Sequence, residues 1–266
     1  FDAPIPLAFG EGRLAKLGRD VTKLAGESAR VVLVADPFLI ESGLAADAER
    51  PLTEAGHAVT VFSDIRSDPL ASSIDAIVIA CRNSDAGCVV AMGGGSTMDA
   101  AKLAAALAVE GDATEAYALG SQPIPRKGLP KIAIPTTSGT GSEVTRTSVF
   151  STDDRKLWAY GNELRFNLAL LDPTVTAGMP PHLTAATGID AAVHAIESAT
   201  CKRRNPVSSS MALGAVRTLR RWLRVAISEP GNIEARGHVQ IAACVAGIAF
   251  DVTGVAVAHG IGHAIG

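Results

Sequence analysis

Apolar residues along this chain come in two textures. Up to about residue 172, short unbroken apolar runs alternate with longer stretches of helical composition; beyond residue 180 only the helical texture remains. The runs at 30–35 (Arg-Val-Val-Leu-Val-Ala), 59–62, 87–92 and 131–134 are rich in β-branched residues and too short for helices, as strands buried on both faces of a parallel sheet are. Between them lie the helical stretches 12–25, 39–55, 70–82 and 97–110. This order predicts an α/β domain whose parallel sheet is covered on both faces, with 144–150 and 167–172 as later strands of the same domain. From residue 180 onward, 182–201, 206–227, 233–250 and 255–266 are expected to be helices. The Gly-Met-Pro-Pro turn at 178–181 then divides an α/β domain, 1–178, from an all-α domain, 179–266, packed closely with the site between them.

Two segments of the helical half carry metal-competent side chains four residues apart: Asp190 with His194, and His259 with His263. On a helix that spacing puts both members of a pair on one face, so two such helices could enclose a divalent ion with four ligands. The surroundings from 241 to 266 are almost entirely Ala, Val, Ile and Gly. Polar groups there must be hydrogen-bonded locally or serve a function. Any one of these residues could be a satisfied core group; the paired spacing favours ligation.

In the first half the chemistry lies where strands end. The run 90–99, Val-Ala-Met-Gly-Gly-Gly-Ser-Thr-Met-Asp, passes from a strand into an Ala-rich helix through Gly93, Gly94, Gly95 and Ser96. Glycines let a backbone approach a pyrophosphate, and a helix start offers free N–H groups. A tight structural turn is the competing account, and the G-x-G-x-x-G fingerprint is absent because Met98 stands where its third glycine would be. A second loop, 135–142, offers Thr136, Thr137, Ser138 and Thr140 hydroxyls, either to a ligand or to its own backbone. Asp36, directly after the first clear strand, could accept from a ribose 2′-hydroxyl and repel a 2′-phosphate, or could cap a helix before Pro37.

Composition narrows the classes. With 47% hydrophobic and 19% charged residues over 266 positions the chain has ample core material, and a net charge of −3 without a run of five like charges gives no reason to expect nucleic acid or an anionic membrane as partner. The Arg217, Arg220, Arg221, Arg224 cluster has the spacing of a solvated helix face. Residues 241–266 are long enough to span a membrane, but Asp251, His259, His263 and five glycines interrupt them, so two buried helices are expected. Cys81, Cys88, Cys201 and Cys244 form no Cys-x-x-Cys pair and no secreted framework; with no export leader visible at Phe1, a cytoplasmic setting is expected.

Several long motifs in order resemble the iron-dependent (group III) alcohol dehydrogenase family: Gly-Gly-Gly-Ser at 93–96, Pro-Thr-Thr-Ser-Gly-Thr-Gly-Ser-Glu at 135–143, Met-Pro-Pro at 179–181 running on to Ala-Ala-Thr-Gly-Ile-Asp-Ala-x-x-His-Ala-Ile-Glu ending at 197, and Ala-His-Gly-Ile-Gly-His at 258–263. The resemblance implies a metal-dependent oxidoreductase that moves hydride between a small alcohol and NAD or NADP; the carboxylate of Asp36 makes NADP the less favoured of the two. It implies Asp99 and Lys156 near the cofactor, Asp190, His194 and His259 as metal ligands, and His263 beside the metal in proton transfer. Fe2+ suits such Asp/His ligation, as do Zn2+ and Mn2+. The resemblance also places the fourth ligand, another His, beyond residue 266, so the helical domain is expected to be incomplete here. A homo-oligomer is implied as well. The alternatives are a glycerol-dehydrogenase or dehydroquinate-synthase type enzyme of the same architecture, or a non-catalytic nucleotide- or metal-binding module. A synthase would need Lys and Arg side chains around the metal, which the helical half does not offer near Asp190 or His259.

Overall fold

The computed structural model describes residues 5–153, 155–254 and 256–265, with side chains for all of these except 263–265. The apolar runs form four neighbouring strands of a six-stranded parallel sheet, in the order β1 (Leu7–Phe9), β8 (Leu168–Leu171), β5 (Lys131–Pro135), β4 (Cys88–Gly93), β2 (Arg30–Ala35), β3 (Ala58–Phe62). Val31, Leu33, Val90 and Met92 pack under α1 (Leu17–Ala25), α2 (Pro37–Glu41) and α3 (Leu44–Glu54). Val32, Val34, Val89 and Ala91 pack on the other side under α4 (Ala71–Asn83) and α5 (Gly95–Leu107). Core on both faces is why these strands show no polar alternation.

Two local expectations need correction, and one strand was not foreseen. The helix expected over 39–55 is broken into α2 and α3 by Gly43, whose φ of 80° is left-handed and costs a glycine little. The stretch 144–150 is not a strand of the main sheet: β6 (Thr147–Ser151) pairs antiparallel with β7 (Lys156–Tyr160) in a separate hairpin. There Ser148 and Phe150 face inward opposite Ala159 and Leu157, while Trp158 and Tyr160 face out, the pattern of a half-buried sheet. Strand β1, three residues long, is too short to leave a periodic signal.

The remaining chain is helical: α6 (Pro181–Thr200), α7 (Pro206–Ser228), α8 (Ile233–Thr253) and α9 (Val257–Ile265). Alanines at the contacts of α6, α7 and α8 bring these helices close. A Cβ on Gly188 of α6 would lie 2.2 Å from Leu223 Cδ1 of α7, so Ala at 188 should cost about 1–3 kcal/mol through overpacking. The four arginines at 217, 220, 221 and 224 are exposed, as their spacing suggests.

Polar ties join helices to sheet. Arg236 of α8, 2% exposed, donates to the Met179 and Pro230 carbonyls and to Thr184 Oγ1. Gln240, one helical turn on, donates to the carbonyl of Pro135 at the end of β5. A Cβ on Gly141, in the loop after β5, would lie 2.5 Å from the Gly247 Cα of α8, so backbone touches backbone here. No helix among the described residues is long and apolar enough to cross a membrane, and all four cysteines are free.

Candidate functional site

Strand β2 has β3 on one side and β4 on the other, so the chain reverses direction across the sheet between β2 and β4. In open α/β sheets such a switch point leaves a crevice at the carboxyl ends of the strands. A cavity of about 520 Å³ lies there, walled by Asp36 after β2, Arg66 after β3, Gly94 to Thr97 after β4, Thr136 and Thr137 after β5, and closed by Met179 and Leu183 at the start of α6. Gly94 is the N-cap of α5, so the free amides of that helix open onto the cavity. A Cβ on Gly94 would meet nothing nearer than 3.4 Å, whereas one on Gly95 would lie 2.6 Å from Thr140. Glycine at 95 is therefore required by packing, and glycine at 94 is spare in packing but clears the cavity wall.

Asp36 is a helix cap, as one of its two accounts had it, and it stands on the cavity wall as well. Its carboxylate caps α2, accepting from the Leu39 amide at 3.1 Å. Burial raises its pKa despite the opposing Leu39 and Phe38 backbone hydrogen bonds. Ser96 Oγ accepts from the Asp68 amide, drawing the loop after β3 across the start of α5.

Four expected cofactor contacts lie off the cavity wall. Gly93 is the end of β4 and its carbonyl accepts from Thr136. Thr140 Oγ1 accepts from the Ser142 amide. Lys156 pairs with Asp68 at 2.9 Å. Asp99 turns the other way: its carboxylate accepts from Ser142 Oγ and the Val149 amide and pairs at 3.1 Å with Lys102. Lys102 is fully buried and donates to the Ser142 and Thr147 carbonyls and to Thr145 Oγ1. The two residues thus clamp the Thr-rich loop rather than face the cavity, and only an i,i+3 spacing in the sequence hinted at the pair.

Asp190, His194 and His259 each bring one ligand atom to a common point, all within 4.8 Å of one another. Asp190 Oδ2 lies 3.7 Å from His194 Nδ1, and Asp190 Oδ1 lies 3.4 Å from His259 Nε2. The His194 ring is stacked between those of Phe250 and His259, at 4.3 and 4.2 Å. His194 Nδ1 is buried with no hydrogen-bond partner, a costly arrangement for a ring nitrogen unless it has a ligand to meet. Burial pushes the His194 imidazole down to about 4, with Asp190 opposing and His259 assisting, so the ring is neutral near pH 7, as a ligand must be. His259 is shifted upward, first by its hydrogen bond to Asp190 and then, against burial, by Glu197. A site that raises a neighbouring imidazole in this way favours positive charge, so the donor set fits a divalent cation. His263 belongs to the backbone of α9, but its side chain lies outside the described residues.

The loop after β5 joins the two places. Thr136 and Thr137 line the cavity, and Gly139 is in a backbone hydrogen bond with His194.

Residues 4–173 match the family model of iron-containing alcohol dehydrogenases, and residues 184–266 match that of the C-terminal part of Fe-containing alcohol dehydrogenases. The chain belongs to the iron-containing alcohol dehydrogenase family. Relatives in the family include the long-chain-alcohol dehydrogenase 1 of Geobacillus thermodenitrificans, 37% identical over 259 residues covering 97% of this chain. The NAD-dependent methanol dehydrogenase of Bacillus methanolicus is 31% identical over 268 residues, covering all of this chain and 70% of its own. The sulfoacetaldehyde reductase of Bifidobacterium kashiwanohense, solved in complex with NAD+, superposes with a TM-score of 0.91 at 34% identity, covering 97% of this chain and 68% of that one. The chain spans 65% of the length of the Geobacillus relative.

One group at the centre of this family member carried no role in the sequence reading. Glu197 of α6 reaches His259 Nδ1 at 2.6 Å. It stands three residues after His194 and seven after Asp190, a spacing that places all three on one helix face, so the signal was present but a carboxylate had no assigned partner there. Burial alone would raise its pKa; hydrogen bonds from the Ala256 amide and from His259 outweigh this and hold it below the usual carboxylate range.

Proposed function

We propose that this protein is a metal-dependent alcohol dehydrogenase that transfers hydride between a small alcohol and NAD, running in reverse as an aldehyde or ketone reductase. The observation that carries the reading is the convergence of Asp190, His194 and His259 one loop away from a cavity at the strand ends. The named activities of the relatives, an NAD-dependent methanol dehydrogenase and an aldehyde reductase bound to NAD+, support it.

The amides at the start of α5, uncovered by Gly94, would hold the pyrophosphate, and the Thr136 and Thr137 hydroxyls would hold the cofactor beyond it. Asp36 would accept from the adenosine ribose, favouring NAD over NADP. Asp190, His194 and His259 would hold a divalent cation, Fe2+ by family, with Zn2+ or Mn2+ compatible with the same donors. When bound, the ion supplies a Lewis acid for the substrate oxygen, and the nicotinamide accepts or returns the hydride. Alcohol oxidation also releases a proton, and His263 is the residue of this chain assigned to carry it. The four free cysteines support a reducing, cytoplasmic setting, and exposed Leu7 and Phe9 on the edge strand β1 support a homo-oligomer.

The test is absorbance at the reduced-nicotinamide band when NAD, Fe2+ and a series of primary alcohols are added to the protein. An increase that a chelator abolishes is expected. Protein that binds NAD and metal yet oxidises no alcohol and reduces no aldehyde would sink the reading.

A further inference from the structure

Glu197, beside the metal cluster, is hydrogen-bonded four times to the segment that carries His259. Its Oε1 accepts from the amides of Ala258 at 2.7 Å and His259 at 3.3 Å; its Oε2 accepts from the Ala256 amide at 2.8 Å and meets His259 Nδ1 at 2.6 Å. Glu197 is 7% exposed, so little water competes for these positions. Three of the four donors are amides at the start of α9, which no turn of that helix can satisfy. The fourth is a ring nitrogen, and an ionised carboxylate can only accept, so Nδ1 must carry the hydrogen. In a ring that ligates, the lone pair is then on Nε2, the nitrogen aimed at Asp190, where a bound ion takes the place of the proton that Nε2 otherwise shares with that carboxylate.

We infer that Glu197 is the positioning residue of the metal centre: one carboxylate both seats the start of α9 and selects the His259 tautomer that presents Nε2 to the ion. The inference rests on the metal reading above. Its chemical content is that two acceptor oxygens are needed at once. Glutamine has the same shape but one acceptor and one donor. If its oxygen takes the ring, its NH₂ faces the amide donors of α9; if its oxygen takes the amides, its NH₂ faces Nδ1 and drives the hydrogen to Nε2, the ligating position. Either arrangement weakens the site, although nothing in the first shell has been removed. Groups that orient a metal-bound histidine through its second nitrogen typically change affinity by about 10–100-fold when replaced.

The experiment is a Co2+ titration followed by visible absorption, made on the wild type, Glu197→Gln, His259→Ala and the double variant. Glu197→Gln is expected to weaken Co2+ binding about 10–100-fold. The same substitution added to His259→Ala is expected to change affinity by less than about twofold, because the ring through which Glu197 acts is gone. Equal Co2+ affinity in wild type and Glu197→Gln overturns the inference. So does an equal loss in both backgrounds, which would mark a disturbance of folding rather than positioning. A wild type that takes up no Co2+ would overturn the metal reading itself, an outcome distinct from both.

Discussion

The two halves of the site are made of different material. The floor of the cavity at the strand ends is largely a backbone construction: Gly94 and the start of α5, the β2–α2 turn and the loop after β5 shape it. The metal cluster is a side-chain construction, with Asp190 and His194 on α6 and His259 on α9, separated by the whole of α7 and α8. Backbone sites tolerate side-chain exchange except where a Cβ intrudes. Side-chain sites tolerate backbone drift only as far as their orienting groups allow.

Removing a ligand should break the contrast most sharply. His259→Ala deletes one of three clustered donors and should lower metal affinity by more than about a hundredfold, the upper end of the effect of an orienting group. His263→Ala should leave metal bound within about tenfold while slowing turnover, as loss of a proton relay does by about 10²–10⁴. Metal content of the two purified variants, measured beside turnover, checks both, and equal metal loss would move His263 into the ligand set.

Gly94→Val should raise the NAD dissociation constant by about a hundredfold, on the order of 3 kcal/mol of lost close approach, with metal content unchanged. Fluorescence titration with NAD measures this. The packing at 95 differs, so Gly95→Val should lower thermal stability as well, through the collision with Thr140.

A subtler effect concerns the loop shared by both halves. Burial raises the Glu143 carboxyl from 4.5 to about 7, with its own backbone hydrogen bond, Lys102 and the Cys244 thiol opposing. A carboxyl whose folded pKa exceeds its unfolded one stabilises the fold fully below pH 4.5, and that contribution is lost as pH rises through 7. Glu143→Gln should therefore flatten stability against pH between those values, with a gain up to about 3 kcal/mol at pH 8. Denaturant midpoints across that range decide it; an unchanged slope would mean that Glu143 stays ionised in the fold.

The smallest expected change is in cofactor choice. Asp36→Gly should relax the preference for NAD over NADP by about tenfold in kcat/KM, since it removes a carboxylate and leaves Arg66 on the same wall. Equal use of both cofactors by the wild type would refute the assigned role of Asp36.

How much of this was visible in the residues follows the same division. Apolar runs placed four neighbouring strands, and helical composition placed α4 to α8 within a few residues, because packing on both faces of the sheet leaves a plain signal. Asp190 with His194, and His259 with His263, were visible as pairs because helical spacing is local and the ligand types are few; setting His263 apart from the other three came from the family resemblance. The hairpin β6–β7 was not visible: alternation marks a strand near 144–150 but does not say which strand it pairs with, and the neighbour that takes it out of the main sheet is Lys156–Tyr160. Asp99 was placed near the cofactor by the family resemblance alone; the direction of its side chain, toward Lys102 and Ser142, depends on a loop more than 40 residues away. Glu197 escaped for the same reason, as its donors lie about 60 residues downstream.

The touching backbones of Gly141 and Gly247 also bear on how this sequence could drift. Alanine at 247 would press on the Gly141 Cα at 2.8 Å, and alanine at 141 would press on the Gly247 Cα at 2.5 Å. No paired exchange relieves this, since a second methyl only adds to the crowding, and Gly141 in addition needs its φ of 64°. Each position therefore removes the other's escape route. For descendants of this chain the only accessible substitutions at these two sites are ones that first move a helix away from the loop that serves both ligands.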